Sequence, residues 1–381
     1  MYSAAVLSRR ASPRLLLLLA TGLLACSGAR PAPRPPIFPP LAAWKTLLDD
    51  VIVEPLAAGG PRIFVATRDG AVRCLDRPTG SVLWKVDGFP GRLSATEGVL
   101  IVRDESGTLT SLHPRTGAVR WRTDTGVAGS LPALVDGDRV HVAGKGMASL
   151  LVETGAPVWV DGAGEQTTAP PTVAGSRLVT GEKDGTLRCR DRANGTSLWT
   201  LRTREALLAP PVVDEARGRL YLGTTDRQIL EVSLDRGRPG WSWRVGADVA
   251  HAGLLQGKRV LFAPHDAVLY ALATGGNLAW RRPLPSRPLS PPLAVDGHLL
   301  VACLENVIVA FDALTGLPAG SFNTPVEIRA APVSVGDLLV LGMRDRSVIA
   351  YGLAGRTPLE GVPPEGTPPT AAPVEAPPAG H

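Results

Sequence analysis

The side chains that could do chemistry in this chain are thinly spread. His113, His141, His251, His265 and His298 fall far apart along 381 residues, and no two of them are paired at i,i+4. A metal centre drawn from such positions needs a convergence in space that the spacing does not encode. Cys74, Cys189 and Cys303 each stand alone, with no CxxC, so neither a structural zinc nor a dithiol redox centre is indicated. No GxSxG, phosphate-binding GxxxxGK[ST] or HExxH occurs. Glu165 and Glu327 fall between repeating units, where a carboxylate could face a ligand or simply be solvated, and the aspartates collect in turns such as Asp69-Gly70 and Asp184-Gly185. The expectation is a chain with no catalytic residue, no metal and no cofactor.

Cys26 is the exception. Arg9, Arg10 and Arg14 precede an apolar run, Leu15 to Leu24, that is too short to span a bilayer and reads as a secretory signal over residues 1–25. Its end, Leu23-Leu24-Ala25-Cys26, resembles the lipobox of bacterial lipoproteins. That resemblance implies cleavage before Cys26, diacylation of its thiol and acylation of the new amino group, which hold the mature chain on a membrane. Ser27 at the next position implies sorting to the outer membrane, with the chain facing the periplasm. A Pro-rich tether, residues 26–41, and a Pro-rich tail, residues 356–381, cannot bury enough apolar surface to order themselves.

Between them lies a repeated sentence. Ser176 to Thr203 reads as a strand (Arg177 to Gly181), a turn at Lys183-Asp184-Gly185, a strand (Thr186 to Asp191), a turn closing on Asn194-Gly195, and a strand carrying Trp199. Asp-Gly between alternating apolar segments marks a hairpin, because Gly adopts positive φ and matches the strand twist. The pattern recurs with Gly and Trp four residues apart: Gly80/Trp84, Gly117/Trp121, Gly155/Trp159, Gly195/Trp199, Gly237/Trp241 and Gly276/Trp280, with Gly320 where a seventh Trp is due after Gly316. Successive units lie 37–42 residues apart and contain no 3.6-residue apolar period, which means propeller blades and not a helical solenoid.

The ends complete each other. The segment around Trp44 looks like a last blade strand with no unit before it, while Leu338 to Met343 and Ser347 to Leu353 are inner strands with no Trp strand after them. Joining them closes the ring and removes exposed sheet edges. The expected fold is all-β: an eight-bladed propeller over residues 42–355, with four antiparallel strands per blade. Pro55, Pro132, Pro171, Pro211, Pro292 and Pro332 open the innermost strands, where a missing N–H is tolerated. Trp44, Trp84, Trp121, Trp159, Trp199, Trp241 and Trp280 are expected to lie between blades as structural cement, with Trp243 as an extra copy after a two-residue insertion.

Charge excludes a nucleic-acid partner: the formal total is +5, three arginines leave with the signal, and no basic stripe is interleaved with aromatics. The strand, TG-turn and +4 Trp pattern over Ala43 to Leu353 resembles the quinoprotein (PQQ-like) propeller repeat. Quinone-dependent alcohol dehydrogenases that share this repeat use a calcium site, a catalytic Asp and an adjacent Cys pair, and no two cysteines are adjacent here. In size, lipobox and tether the chain is similar to the BamB lipoprotein family. That resemblance implies a non-catalytic scaffold, a monomer within a hetero-complex, bound to the outer-membrane barrel insertase or other envelope proteins. In that family a Leu-Arg pair near two middle blades contacts the partner. Leu201-Arg202 is the local match, strand-end packing with a solvated Arg being the other reading. A ligand-binding sensor lipoprotein is a further alternative.

Overall fold

The computed structural model describes residues 40–353; Cys26, the signal segment, the tether up to residue 39 and the tail lie outside the described residues. Strand β1 (Leu41–Leu47) comes first. Blade one is β2 (Ile52–Gly59), β3 (Arg62–Thr67), β4 (Val72–Asp76) and β5 (Val82–Val86), and blade two is β6 (Arg92–Ala95), β7 (Leu100–Arg103), β8 (Thr108–Leu112) and β9 (Val119–Asp124). Blade three is β10 (Leu134–Asp136), β11 (Arg139–Leu151) and β12 (Pro157–Gln166). Blade four is β13 (Thr172–Ala174), β14 (Arg177–Gly181), β15 (Thr186–Asp191) and β16 (Ser197–Arg202), and blade five is β17 (Val212–Asp214), β18 (Arg219–Gly223), β19 (Gln228–Ser233) and β20 (Pro239–Arg244). Blade six is β21 (Leu254–Gln256), β22 (Arg259–Phe262), β23 (Val268–Ala273) and β24 (Leu278–Pro283), and blade seven is β25 (Leu293–Val295), β26 (His298–Cys303), β27 (Val307–Asp312) and β28 (Pro318–Asn323). β29 (Ile328–Val335), β30 (Leu338–Met343) and β31 (Ser347–Gly352) begin blade eight.

Eight antiparallel sheets result, and the eighth has the order β1-β31-β30-β29. The amino-terminal strand therefore closes the ring, pairing Leu41 with Gly352 and Trp44 with Ala350. The pairing starts at Leu41, one residue before the propeller was expected to begin. First strands of neighbouring blades touch one another, so they are innermost. Burial follows from that position. Second and third strands are covered on both faces by flanking blades and read as continuous apolar runs, as in Leu338–Met343, which is buried throughout. Outer strands alternate exposed and half-buried residues, as in Ser197–Arg202.

Blade three departs from the pattern in its second hairpin. Val152 N donates to Asp138 O at 2.9 Å, so the 13 residues of β11 double back on themselves and supply both middle strands. Lys145-Gly146 replaces the Asp-Gly turn with a shorter one, and Gly146 takes φ +98°. Its outer strand β12 compensates by bulging, since Met147 pairs with Asp161 and Lys145 with Gln166.

The tryptophans join consecutive blades in a fixed way. Six indole N–H groups donate forward to a carbonyl of the next blade: Trp44 to Arg77, Trp121 to Val152 and Trp199 to Leu234, at 2.8, 2.8 and 2.9 Å. Trp84, Trp159 and Trp241 do the same to Pro114, Arg192 and Thr274 at 3.1, 3.0 and 3.1 Å. The ring then lies on the turn glycine of that next blade. A Cβ on Gly80, Gly117, Gly155, Gly195, Gly237, Gly276 or Gly316 would fall 2.3–2.9 Å from the preceding blade's indole, and all seven have positive φ. Trp44 and Trp121 are buried and the others half-buried. Within their own blades three of the tryptophans stand opposite a small residue, Trp84 opposite Cys74, Trp121 opposite Ser111 and Trp199 opposite Cys189. This is why Cys74 and Cys189 recur at equivalent places.

Two joints vary. Trp280 Nε1 is buried without a hydrogen-bond partner, and Arg282 makes good the contact, its guanidinium 5.4 Å over the Trp280 ring and its Nε donating to Gly316 O at 2.5 Å. Between blades seven and eight, Gly320 stands where the Trp would be, and the residue four before Trp44, which would be the receiving glycine, is Pro40. The ring and its seat are lost together, because the two halves of blade eight are joined by no turn. Phe322 and Tyr351, with centroids 5.0 Å apart, pack across that joint instead.

Candidate functional site

Local chemistry places Leu201 and Arg202 at the exit of β16. Leu201 pairs with Leu187 and is half-buried against the core of blades four and five; Arg202 pairs with Thr186 and is exposed. Arg202 Nη2 lies 3.3 Å from Asp184 Oδ2, with 73% of the Arg side chain in solvent. Asp184 is committed to its own turn, accepting from Thr186 N at 2.9 Å and Thr186 Oγ1 at 3.0 Å. The Thr186 backbone bond is the main reason its carboxyl is held below the usual range.

The chain then crosses to blade five over a fixed connection. Thr203 Oγ1 lies 2.6 Å from Gly185 O and 2.8 Å from Glu205 O, and its one hydroxyl proton is shared between these two acceptors. Leu207 is wholly buried, and a Cβ on Gly181 would meet its Cβ at 2.6 Å, so it acts as an anchor. Leu208, the next residue, is 40% exposed. The connection that follows the exposed Arg202 thus leaves Leu208 exposed as well. Leu208 escaped sequence reasoning because Leu207-Leu208 reads as two core residues, and only the fold shows which one turns outward.

Beneath this surface the charges are spent on structure. Glu182 is buried and takes Arg188 in a bidentate pair at 2.6 and 3.1 Å, which raises the Arg188 pKa through that hydrogen bond. Arg190, also buried, reaches Asp161 of blade three at 3.0 Å. Arg103 is fully buried and donates to Leu131 O, Ala143 O and Val127 O at 2.8, 2.7 and 2.9 Å, tying blade two to blade three. Burial draws its pKa down to about 10, which still leaves it charged at neutral pH.

The residues suited to catalysis take other parts. Burial pushes the thiols of Cys74, Cys189 and Cys303 up to about 12, 11 and 11, so they are protonated and unreactive. His141 is wholly buried with neither ring nitrogen hydrogen-bonded, and Asp136 Oδ2 stands 3.8 Å away, too far for such a bond. His298 Nδ1 lies 3.2 Å from Asp296 O, and His113 Nδ1 accepts from Arg115 N at 3.2 Å. Glu327 pairs with Arg344. His251 and His265, from two different loops, do meet, with ring centroids 5.4 Å apart. Among the described residues, no three His, Cys, Asp or Glu side chains are placed to hold a metal ion. Among them also, no helix is long and apolar enough to cross a membrane.

Comparison with known proteins agrees with this architecture. The chain is 23% identical over 355 residues to the outer membrane protein assembly factor BamB of Yersinia pestis, covering 82% of this chain and 89% of the relative. Among solved structures, BamB from Moraxella catarrhalis superposes with a TM-score of 0.69 at 20% identity, covering 82% of this chain and 99% of that one. A quinohemoprotein alcohol dehydrogenase from Comamonas testosteroni superposes with a TM-score of 0.66 at 13% identity, over 85% of this chain and 78% of that one, a likeness of fold alone. The family profile described as outer membrane protein assembly factor BamB matches residues 68–167, 144–256 and 243–360. With that profile running from blade one past the end of β31, the chain belongs to the outer membrane protein assembly factor BamB family.

Proposed function

We propose that this chain is a lipid-anchored, periplasm-facing scaffold that binds protein partners during outer-membrane β-barrel assembly and performs no chemistry. The observation that carries the reading is the family profile spanning six whole blades, the outer two strands of blade one and three of the four strands of blade eight in a closed ring. Its described thiols are buried and protonated, and its buried charges are paired or capped by the scaffold itself. A rigid disc with variable connections is suited to recognition, because loops on a fixed frame bind without paying a large ordering entropy.

The partner is an outer-membrane barrel insertase or another envelope protein, and the contact is made by Leu201, Arg202 and the exposed Leu208. Acylated Cys26 anchors the chain to the outer membrane, with residues 26–41 as tether and residues 356–381 as a free tail. Cell fractionation tests the anchor: Cys26→Ala should move the protein to the soluble periplasmic fraction with its thermal unfolding unchanged. Retention of that variant in membranes would contradict the anchor. Deleting the whole chain should lower the amount of heat-modifiable, folded barrel protein in the outer membrane, and unchanged barrel levels would contradict the assembly role.

A further inference from the structure

Three elements on one face of blades five to seven bring together four ionisable side chains that the scaffold role does not use. Asp248 and His251 come from the connection between β20 and β21, His265 from the turn between β22 and β23, and Arg287 from the connection between β24 and β25. His265 Nδ1 lies 2.8 Å from Asp248 Oδ2, and Arg287 Nη2 lies 3.1 Å from His265 Nε2. A guanidinium has only donors, so Nε2 must be the bare, accepting nitrogen and the proton must sit on Nδ1 facing Asp248. The linkage therefore requires a neutral imidazole. A second proton would occupy Nε2, removing the acceptor and setting two cations against each other.

The surrounding groups leave Arg287 the one free to move. Asp266, on the same turn as His265, is taken by Gly246 N and Tyr270 OH, both at 2.8 Å. His251 Nε2 lies 3.3 Å from Pro288 O, to which it can only donate, and burial above all lowers its pKa, so it keeps this bond as the pH falls. Leu304 N donates to Arg287 O and Leu289 N to Ala302 O, at 2.9 and 2.8 Å, which fixes the backbone on either side of Pro288. The Arg287 side chain, which is exposed, is the partner left to swing away.

We infer that His265 is a pH-sensitive clasp for Arg287: the neutral imidazole holds the exposed guanidinium against the connections of blades five to seven, and protonation breaks that hydrogen bond and detaches it. Below the transition the face gains an unattached cation able to meet an acidic surface, while the fold is unchanged. This goes beyond the assembly reading and does not depend on it.

Side-chain NMR of the propeller between pH 5 and pH 8 tests the clasp. The Arg287 Nε–H resonance should shift with the same midpoint as the His265 Cε1–H resonance. In His265→Gln, whose amide oxygen can accept from Arg287 at every pH, the Arg287 resonance should no longer titrate. Arg287→Gln, a surface change that leaves the fold intact, should move the His265 resonance's midpoint upward, because it removes both the donor and the adjacent charge. An Arg287 resonance that stays flat while His265 titrates, or a His265 midpoint unmoved by Arg287→Gln, would overturn the clasp.

Discussion

A Cβ placed on Gly237 would stand 2.4 Å from Cε3 of Trp199, although the two residues belong to neighbouring blades. The recurring Gly and Trp are thus two halves of one joint, contributed by different repeats. Gly237, at φ +63°, lets the turn of blade five pass under the ring of blade four, and the indole N–H reaches on to Leu234 O.

This joint predicts a coupled loss. Trp199→Ala should cost about 3 kcal/mol. Gly237→Ala should cost about 2 kcal/mol through its left-handed backbone and the clash with the ring. Because both remove the same contact, the double variant should be less unstable than the sum by about 1 kcal/mol, as read from urea unfolding midpoints. Strict additivity would place the Trp199 contribution elsewhere.

His141 predicts acid sensitivity. Burial, followed by the charges of Arg192 and Arg139, draws its pKa down to about 4. Because the fold favours the neutral ring, this contribution is complete above the unfolded value near 6.5 and is lost as pH falls through about 4, a total of about 3 kcal/mol. His141→Leu should flatten stability over that window while leaving the neutral-pH midpoint the same or higher. Equal acid sensitivity in the variant would assign it to other groups.

Arg103 predicts a larger defect than any surface arginine. Arg103→Met would leave three carbonyls without their donor and should destabilise the ring by about 3 kcal/mol or more, measured by thermal unfolding. Arg202→Ala, which removes only an exposed pair with Asp184, should leave the unfolding midpoint almost unmoved.

What the sequence disclosed follows from where its information is local. Asp184-Gly185 and Asn194-Gly195 announce hairpins because positive φ is a property of single residues, and their repetition counts the blades. Closure was legible from Trp44 because a strand with no partner before it matches inner strands with none after. The shared joint of Trp199 and Gly237 was not, since equal spacing within a repeat cannot say which neighbour a ring covers. Nor was Arg103 as a buried tie, because an Arg at a strand end reads as solvated until three carbonyls are seen around it. The meeting of His251 with His265 and the short Lys145-Gly146 turn depend likewise on backbone paths that single residues do not encode.

The scaffold reading is tested most directly by placing a photo-crosslinking residue at position 201 or 208 of the tagged, full-length chain in native envelopes and identifying the adducts. The account predicts an adduct with the outer-membrane barrel insertase, strongly reduced by Arg202→Ala without loss of folded protein. Adducts with no component of barrel assembly, or adducts indifferent to Arg202, would contradict it.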